Sequence, residues 1–271
     1  MDTNKYCISF PSVYMHTSPC IKSEPSDELL YGTLVDITAE HGDFARCKTD
    51  YGYSGFIQKR LLSPVTDTYK KSPFIVKSTF ADILSESTYK SRAITTLSKG
   101  SIIYSDGRTS TDGRFLEVFH RGKSCYIPYG SVLPYAKPDS IKAQESTFVR
   151  KKICDDALMY LGSPYRWGGK SPQGIDCSGL CFMSYFLNGI TIWRDAFADS
   201  RFVHEIPQSK ALEGDIIYFK GHAAIYIGDG EYVHASQSAG CVTVNSLNKG
   251  SIIYRADLAD KLICFARSNL L

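Results

Sequence analysis

The chain has 271 residues, is 43% hydrophobic and carries a formal net charge of +3, which allows about one to three ordinary cores. Its mild charge and scattered basic residues argue against nucleic acid or an anionic membrane as partner. No window reaches the roughly twenty apolar residues of a membrane-spanning helix. The first residues lack a basic stretch leading into an apolar core, so the expectation is a cytoplasmic chain without membrane insertion or a cleaved export signal. Nine cysteines, odd in number and with no Cys-x-x-Cys pair, read mostly as buried thiols in a reducing compartment. Cys177 and Cys181 lie one helical turn apart, but no second pair completes a zinc site, so neither metal nor cofactor is expected.

Composition changes near residue 140. Before it, short runs of Val, Ile, Tyr, Phe and Thr are broken at regular intervals by Gly, Asp, Ser or Pro, the rhythm of an all-β barrel or sandwich. Two stretches share one plan: residues 29–38, a turn at 40–43, a run from Phe44 and a short aromatic strand around Phe56; then residues 96–104, a turn at 105–107, a run from Phe115 and a strand from Cys125. The shared pattern predicts an internal repeat. Leu133 to Ser140, with two prolines, reads as a linker.

Beyond it, Val149, Ile153, Ala157 and Tyr160 recur at helical spacing, predicting a helix over 146–161 ended by Gly162 and Pro164. The run from Tyr165-x-Trp167-Gly168-Gly169 to Asp176-Cys177-Ser178-Gly179 then presents a cysteine where a glycine-rich loop turns into a second helix, which ends at Asn188-Gly189. Unpaired N–H groups at a helix start favour a thiolate, so Cys177 reads as a nucleophile with a lowered pKa. Residues 214–219, 222–227 and 232–235 read as antiparallel strands bearing His222 and His234.

Strand parity tests these histidines. If Gly228-Asp229-Gly230 is a three-residue loop, Ile227 faces Glu231 and residues whose numbers sum to 458 are paired. His222 then lies opposite Ser236 and His234 opposite Ala224, so the imidazoles are diagonal neighbours on one face. A two-residue loop would separate them. The expected relay is Cys177, His222 as base and His234 as its orienting group. His16, His41, His120 and His204 read as surface or packing residues.

The segments Tyr165-x-Trp167-Gly168-Gly169, Asp176-Cys177-Ser178-Gly179-Leu180, Gly214-Asp215, His222 to Gly228 and Val233-His234 resemble the NlpC-type cysteine peptidases, over roughly residues 145–271. Each copy of the β repeat resembles a bacterial SH3-like barrel, with Phe56 where that pattern usually has Trp. The expected architecture is thus multidomain: SH3-like barrels at 1–72 and 73–138, followed by an α+β papain-like cysteine peptidase domain at 139–271. The resemblance implies hydrolysis of the γ-D-glutamyl-diamino acid bond in peptidoglycan stem peptides with a free N-terminal L-Ala. It also implies an oxyanion site at the Cys177 N–H with Tyr165 as helper, Ser178 on the substrate carboxylate, and Asp176, Asp195, Glu28 and Tyr53 as candidates for the substrate ammonium end. Trp193 replaces a usual Pro and a following Gln is missing, which alters the expected pocket. An acyltransferase or amidase on the same scaffold, or a catalytically silent wall-fragment binding module, stays open as an alternative.

Overall fold

The computed structural model, which describes residues 5–65, 71–136 and 143–271, resolves the β-rich part into two runs of seven strands. The first comprises β1 (Lys5–Ile8), β2 (Ser12–His16), β3 (Pro25–Leu30), β4 (Leu34–His41), β5 (Phe44–Thr49), β6 (Ser54–Gln58) and β7 (Leu62–Pro64); the second comprises β8 (Ser72–Val76), β9 (Phe80–Leu84), β10 (Ala93–Ser98), β11 (Ile102–Ser105), β12 (Phe115–His120), β13 (Lys123–Pro128) and β14 (Val132–Pro134). Alternation builds them. In β5, Ala45, Cys47 and Thr49 turn inward while Arg46 and Lys48 face water.

The first module is ordered β3-β2-β6-β5-β4-β1-β7, and the second β10-β9-β13-β12 with β11-β8-β14. Adding seven to each strand number of the first order gives the second, so the repeat exists in topology where identity had faded. Each expected opening strand is in fact two. The run 29–38 breaks at Tyr31-Gly32-Thr33 and the run 96–104 at Lys99-Gly100-Ser101. Gly32 has φ +82, and a Cβ there would meet the Ile102 carbonyl oxygen at 1.9 Å, so only glycine lets the two modules approach this closely. Beside it Ile102 N donates to the Tyr31 carbonyl at 2.8 Å. The last strand of the first module ends at Pro64, and the first strand of the second begins at Ser72.

The chain divides into two compact units, residues 1–136 and 137–271. The expected linker lies, from residue 137 on, outside the described residues. In the second unit, α1 (Ala143–Leu158) precedes a two-stranded ribbon, β15 (Lys170–Ser171) and β16 (Gly174–Ile175), and then α2 (Cys177–Phe186). β17 (Val203–Ile206), β18 (Ile216–Phe219), β19 (His222–Gly228), β20 (Glu231–Ser236), β21 (Cys241–Ser246), the short α3 (Ala256–Ala259) and β22 (Leu262–Ser268) follow. The strands make one antiparallel sheet ordered β17-β22-β18-β19-β20-β21. α1 sits three residues earlier than its periodicity suggests, α2 starts at Cys177 as expected and ends just before Asn188-Gly189, and β17, β21 and β22 add to the three expected strands. α2 is buried from Cys177 to Tyr185, so its first residue is held as rigidly as the core. Asp215, fully buried, accepts from Arg150 Nη1 at 2.7 Å and Arg267 Nη2 at 2.8 Å, tying α1 to the sheet.

Candidate active site

Cys177 is the first residue of α2, and Asp176 is its N-cap, accepting from the Gly179 N–H at 2.6 Å. Asp176 does more than cap. Its Oδ2 accepts from the Gly168 N–H at 2.8 Å and from Arg194 Nη2 at 2.9 Å, and its Oδ1 accepts from Arg194 Nη1 at 3.0 Å. The carboxylate is therefore taken up in holding the loop, with both oxygens engaged and the residue only 6% exposed. That is a different task from presenting a charge to a ligand. Arg194 is itself 1% exposed, so the pair is mutually required: either charge alone would be buried without compensation. The sequence pairs Arg194 more naturally with its neighbour Asp195. The one available signal was an arginine in the apolar run Ile192-Trp193, which has to find a carboxylate somewhere.

Gly179 serves close packing. A Cβ there would lie 2.3 Å from the Gly169 carbonyl oxygen, so the Gly-Gly turn and the Ser-Gly start of the helix interlock. Ser178 accepts from Arg194 Nη1 at 2.9 Å and donates a longer bond to Asp176 Oδ1 at 3.3 Å. Tyr165 lies close enough for charge on Cys177 to matter. Burial first, then Cys177 and Asp176, push its phenol well above the usual value, so it stays a donor.

The helix-start expectation for the thiol is overturned. Burial, with Asp176 second, pushes Cys177 up to about 11, against hydrogen bonds from the Ala223 and Ser178 N–H groups and the charge of Arg194. Ala223 follows His222 in β19, so this contact brings the sulfur to the histidine strand. Burial lowers His222 to about 3, aided by His234, and lowers His234 to about 4 against its bond with Asn245. These shifts favour a neutral thiol at the start of α2 and neutral imidazoles on β19 and β20.

The two histidines meet: His222 Nε2 and His234 Nδ1 are 2.7 Å apart. The register is the one derived from parity, with Ile225 opposite Val233 and Tyr226 opposite Tyr232, but the loop differs. Gly228 pairs with Glu231 across a two-residue turn, Asp229-Gly230, with φ of +49 and +77, and a bulge before Gly228 restores the 458 sum.

The relay continues to a residue the sequence did not reveal. His234 Nε2 lies 2.8 Å from Asn245 Oδ1, and Asn245 Nδ2 donates to the Ile253 carbonyl at 3.0 Å. A carbonyl can only accept, so the amide NH2 must face Ile253 and Oδ1 must face His234. His234 therefore carries its proton on Nε2, its bare Nδ1 accepts from His222 Nε2–H, and His222 Nδ1 is left as a lone pair. A single amide orientation thus makes His222 a base.

Asp195 follows Arg194 in the loop before β17 and is partly exposed. Glu28 and Tyr53 belong to the first unit. Glu28 lies within β3 and is 2% exposed, in contrast to the solvated turn that its charged surroundings suggest; Tyr53 immediately precedes β6. Cys181 is buried one turn after Cys177, and burial holds its thiol far above the usual value. Among the described residues no group of three His, Cys, Asp or Glu side chains is placed to hold a metal ion.

The model of the NlpC/P60 family matches residues 162–259. Dipeptidyl-peptidase 6 of Lysinibacillus sphaericus is 38% identical over 257 residues, covering 90% of this chain and 92% of that protein. A gamma-D-glutamyl-L-lysine dipeptidyl-peptidase of Bacillus subtilis is 23% identical over 264 residues, covering 91% of this chain and 83% of its own. The crystal structure of an NlpC/P60 family protein from Bacillus cereus superposes with a TM-score of 0.78 at 20% identity, covering 98% of this chain and all of that one. That likeness establishes a shared fold.

Proposed function

The chain belongs to the NlpC/P60 family of cysteine peptidases, and we propose that it cuts the γ-D-glutamyl-diamino acid bond of peptidoglycan stem peptides whose N-terminal L-Ala is free, releasing L-Ala-D-Glu in cell-wall recycling. The observation carrying this reading is the chain Asn245–His234–His222, which leaves His222 Nδ1 unprotonated on the strand whose Ala223 N–H reaches the Cys177 sulfur. In the proposed reaction Cys177 attacks the γ-carbonyl as His222 takes its proton, and the imidazolium returns that proton to the departing amine. Water activated by His222 then hydrolyses the thioester. The Cys177 N–H at the helix start, with the Tyr165 hydroxyl, stabilises the oxyanion. Ser178, whose oxygen accepts from Arg194, turns its proton from the longer Asp176 bond to the D-Glu α-carboxylate, and Asp195 is the candidate on the same loop for the ammonium. Nine thiols without a disulfide fit a reducing compartment such as the cytoplasm.

The test is mass analysis after incubation with L-Ala-γ-D-Glu-diamino acid peptides, free and N-acetylated, with Lys or diaminopimelate in third place. L-Ala-D-Glu should appear from the free-amine peptides alone, and Cys177→Ala protein should release none. Transfer products without free dipeptide would identify an acyltransferase instead.

A further inference from the structure

The N-terminal β unit contains a cleft of about 570 Å³ walled by both modules: Phe10, Tyr31, Arg60 and Ser63 from the first, Phe119 and Arg121 from the second. It is preformed. The buried Tyr31 hydroxyl meets His120 Nδ1 at 2.9 Å, and the Tyr31–Ile102 backbone bond lies beside the Gly32 contact, where no side chain fits.

Among the described residues its arginines, Arg60 and Arg121, have no acidic partner; Arg60 Nε donates to the neutral Gln58 side chain at 3.1 Å. By contrast, Lys71, whose ammonium lies 4.3 Å from the Phe119 ring centroid, is paired with Asp106. Arg121 is also held at a backbone disadvantage. It has φ +49 in the two-residue turn between His120 and Lys123, followed by Gly122 at φ +76. Asn or Gly takes that position without strain. Among the described residues the only other non-glycine with positive φ is Asp229, a residue type that tolerates it. The Arg121 side chain projected from this turn lies 5.0 Å from the Phe10 ring centroid at the cleft wall.

We propose that this cleft binds an anion carried on a sugar ring, with the carboxylate or phosphate held by Arg60 and Arg121 and the ring against Phe10 and Phe119. Guanidinium forks match both oxyanions in two-point geometry, and aromatic faces accept the apolar face of a sugar. The Ser9 and Ser63 hydroxyls, 2.6 Å apart, add a polar contact on the same wall. None of these residues belongs to the relay, so the proposal stands whether or not the peptide reading holds.

The test is calorimetric titration of the full chain with N-acetylmuramic acid, N-acetylglucosamine 1-phosphate and neutral N-acetylglucosamine. At least one of the two acids should bind saturably and lose affinity with salt, while the neutral sugar binds about tenfold more weakly or worse. Binding of one acid alone identifies the oxyanion. Arg121→Asn, which suits the turn and should hold or raise the melting temperature, should weaken binding about tenfold, as should Arg60→Gln, with peptide hydrolysis unchanged. Equal affinity for the neutral sugar, undiminished binding in both variants, or no saturable binding of either acid at millimolar concentration overturns the proposal.

Discussion

Replacing Asn245 should disable the base without touching the nucleophile. In Asn245→Ala the His234 Nε2–H, in a residue 1% exposed, loses its acceptor, which costs about 1–3 kcal/mol for a buried donor. The ring escapes that cost by moving its proton to Nδ1, where it becomes a donor to His222 Nε2. His222 must then carry its own proton on Nδ1 and cannot accept one from Cys177. The active tautomer falls to a minor fraction, so kcat should drop about 10- to 100-fold while KM for the free-amine stem peptide stays near its original value. Asn245→Asp separates orientation from packing. It keeps an acceptor for His234 but turns an oxygen towards the Ile253 carbonyl, so it should lose stability yet retain kcat within about threefold. Steady-state hydrolysis and imidazole nitrogen shifts read both effects. Wild-type kcat in Asn245→Ala, or an Asn245→Asp enzyme as slow as the alanine variant, would refute the tautomer argument.

With Cys177 at about 11, about one thiol in ten thousand is ionised at pH 7, so its alkylation by iodoacetamide, followed on the Cys177 peptide, should rise about tenfold per pH unit up to pH 10. A rate already level below pH 6 would indicate a preformed thiolate-imidazolium pair. Arg194→Met leaves Asp176 buried and unpaired, costing about 3–5 kcal/mol in a urea titration; adding Asp176→Asn should recover part of that, and a loss under about 1 kcal/mol in the single variant would contradict the pairing. His234 titrates near its ordinary 6.5 when unfolded and at about 4 when folded, so below pH 6.5 the unfolded chain binds the extra proton. Its contribution is intact above pH 6.5 and declines towards pH 4, by up to about 2.5 kcal/mol at pH 4.5. His234→Gln should flatten that slope, and an unchanged slope would show that other groups govern it.

The glycine-rich loop and the pattern after it pointed to the helix start that carries the nucleophile, and parity to the histidine face and its register, because each depends on a pattern within a few residues. The loop was misjudged because a bulge shifts register by one residue with no strong local signal: a two-residue turn plus one unpaired residue gives the same pairing sum as a three-residue turn. Asn245 was less hidden than it first seems. Residues 241–246 alternate as a strand should, and pairing β21 with β20 puts Thr243 opposite His234, which makes Asn245 its diagonal neighbour. What sequence could not supply was that this stretch joins the sheet at that edge. The Arg194–Asp176 pair had even less to mark it, being 18 residues apart across α2 and the irregular stretch that follows it.

The ionisation of Cys177 shows why a correct local rule gave the wrong sign. A helix N-terminus offers a thiolate about 0.3–1 kcal/mol, up to about 2 in favourable geometry, whereas burying a charge can shift a pKa by several units, each about 1.4 kcal/mol. Cys177 is 6% exposed, so desolvation wins. The cap makes matters worse, because the helix start that fixes the sulfur needs an acceptor for the Gly179 N–H, and the acceptor used is the carboxylate of Asp176, adjacent to the thiol. Arg194 offsets that charge with two hydrogen bonds, leaving a neutral, well-positioned thiol in place of an ionised one. Activation then falls to His222 at the moment of attack. That is why the proton on its far nitrogen, fixed through His234 by Asn245, matters more to this nucleophile than the helix on which it sits.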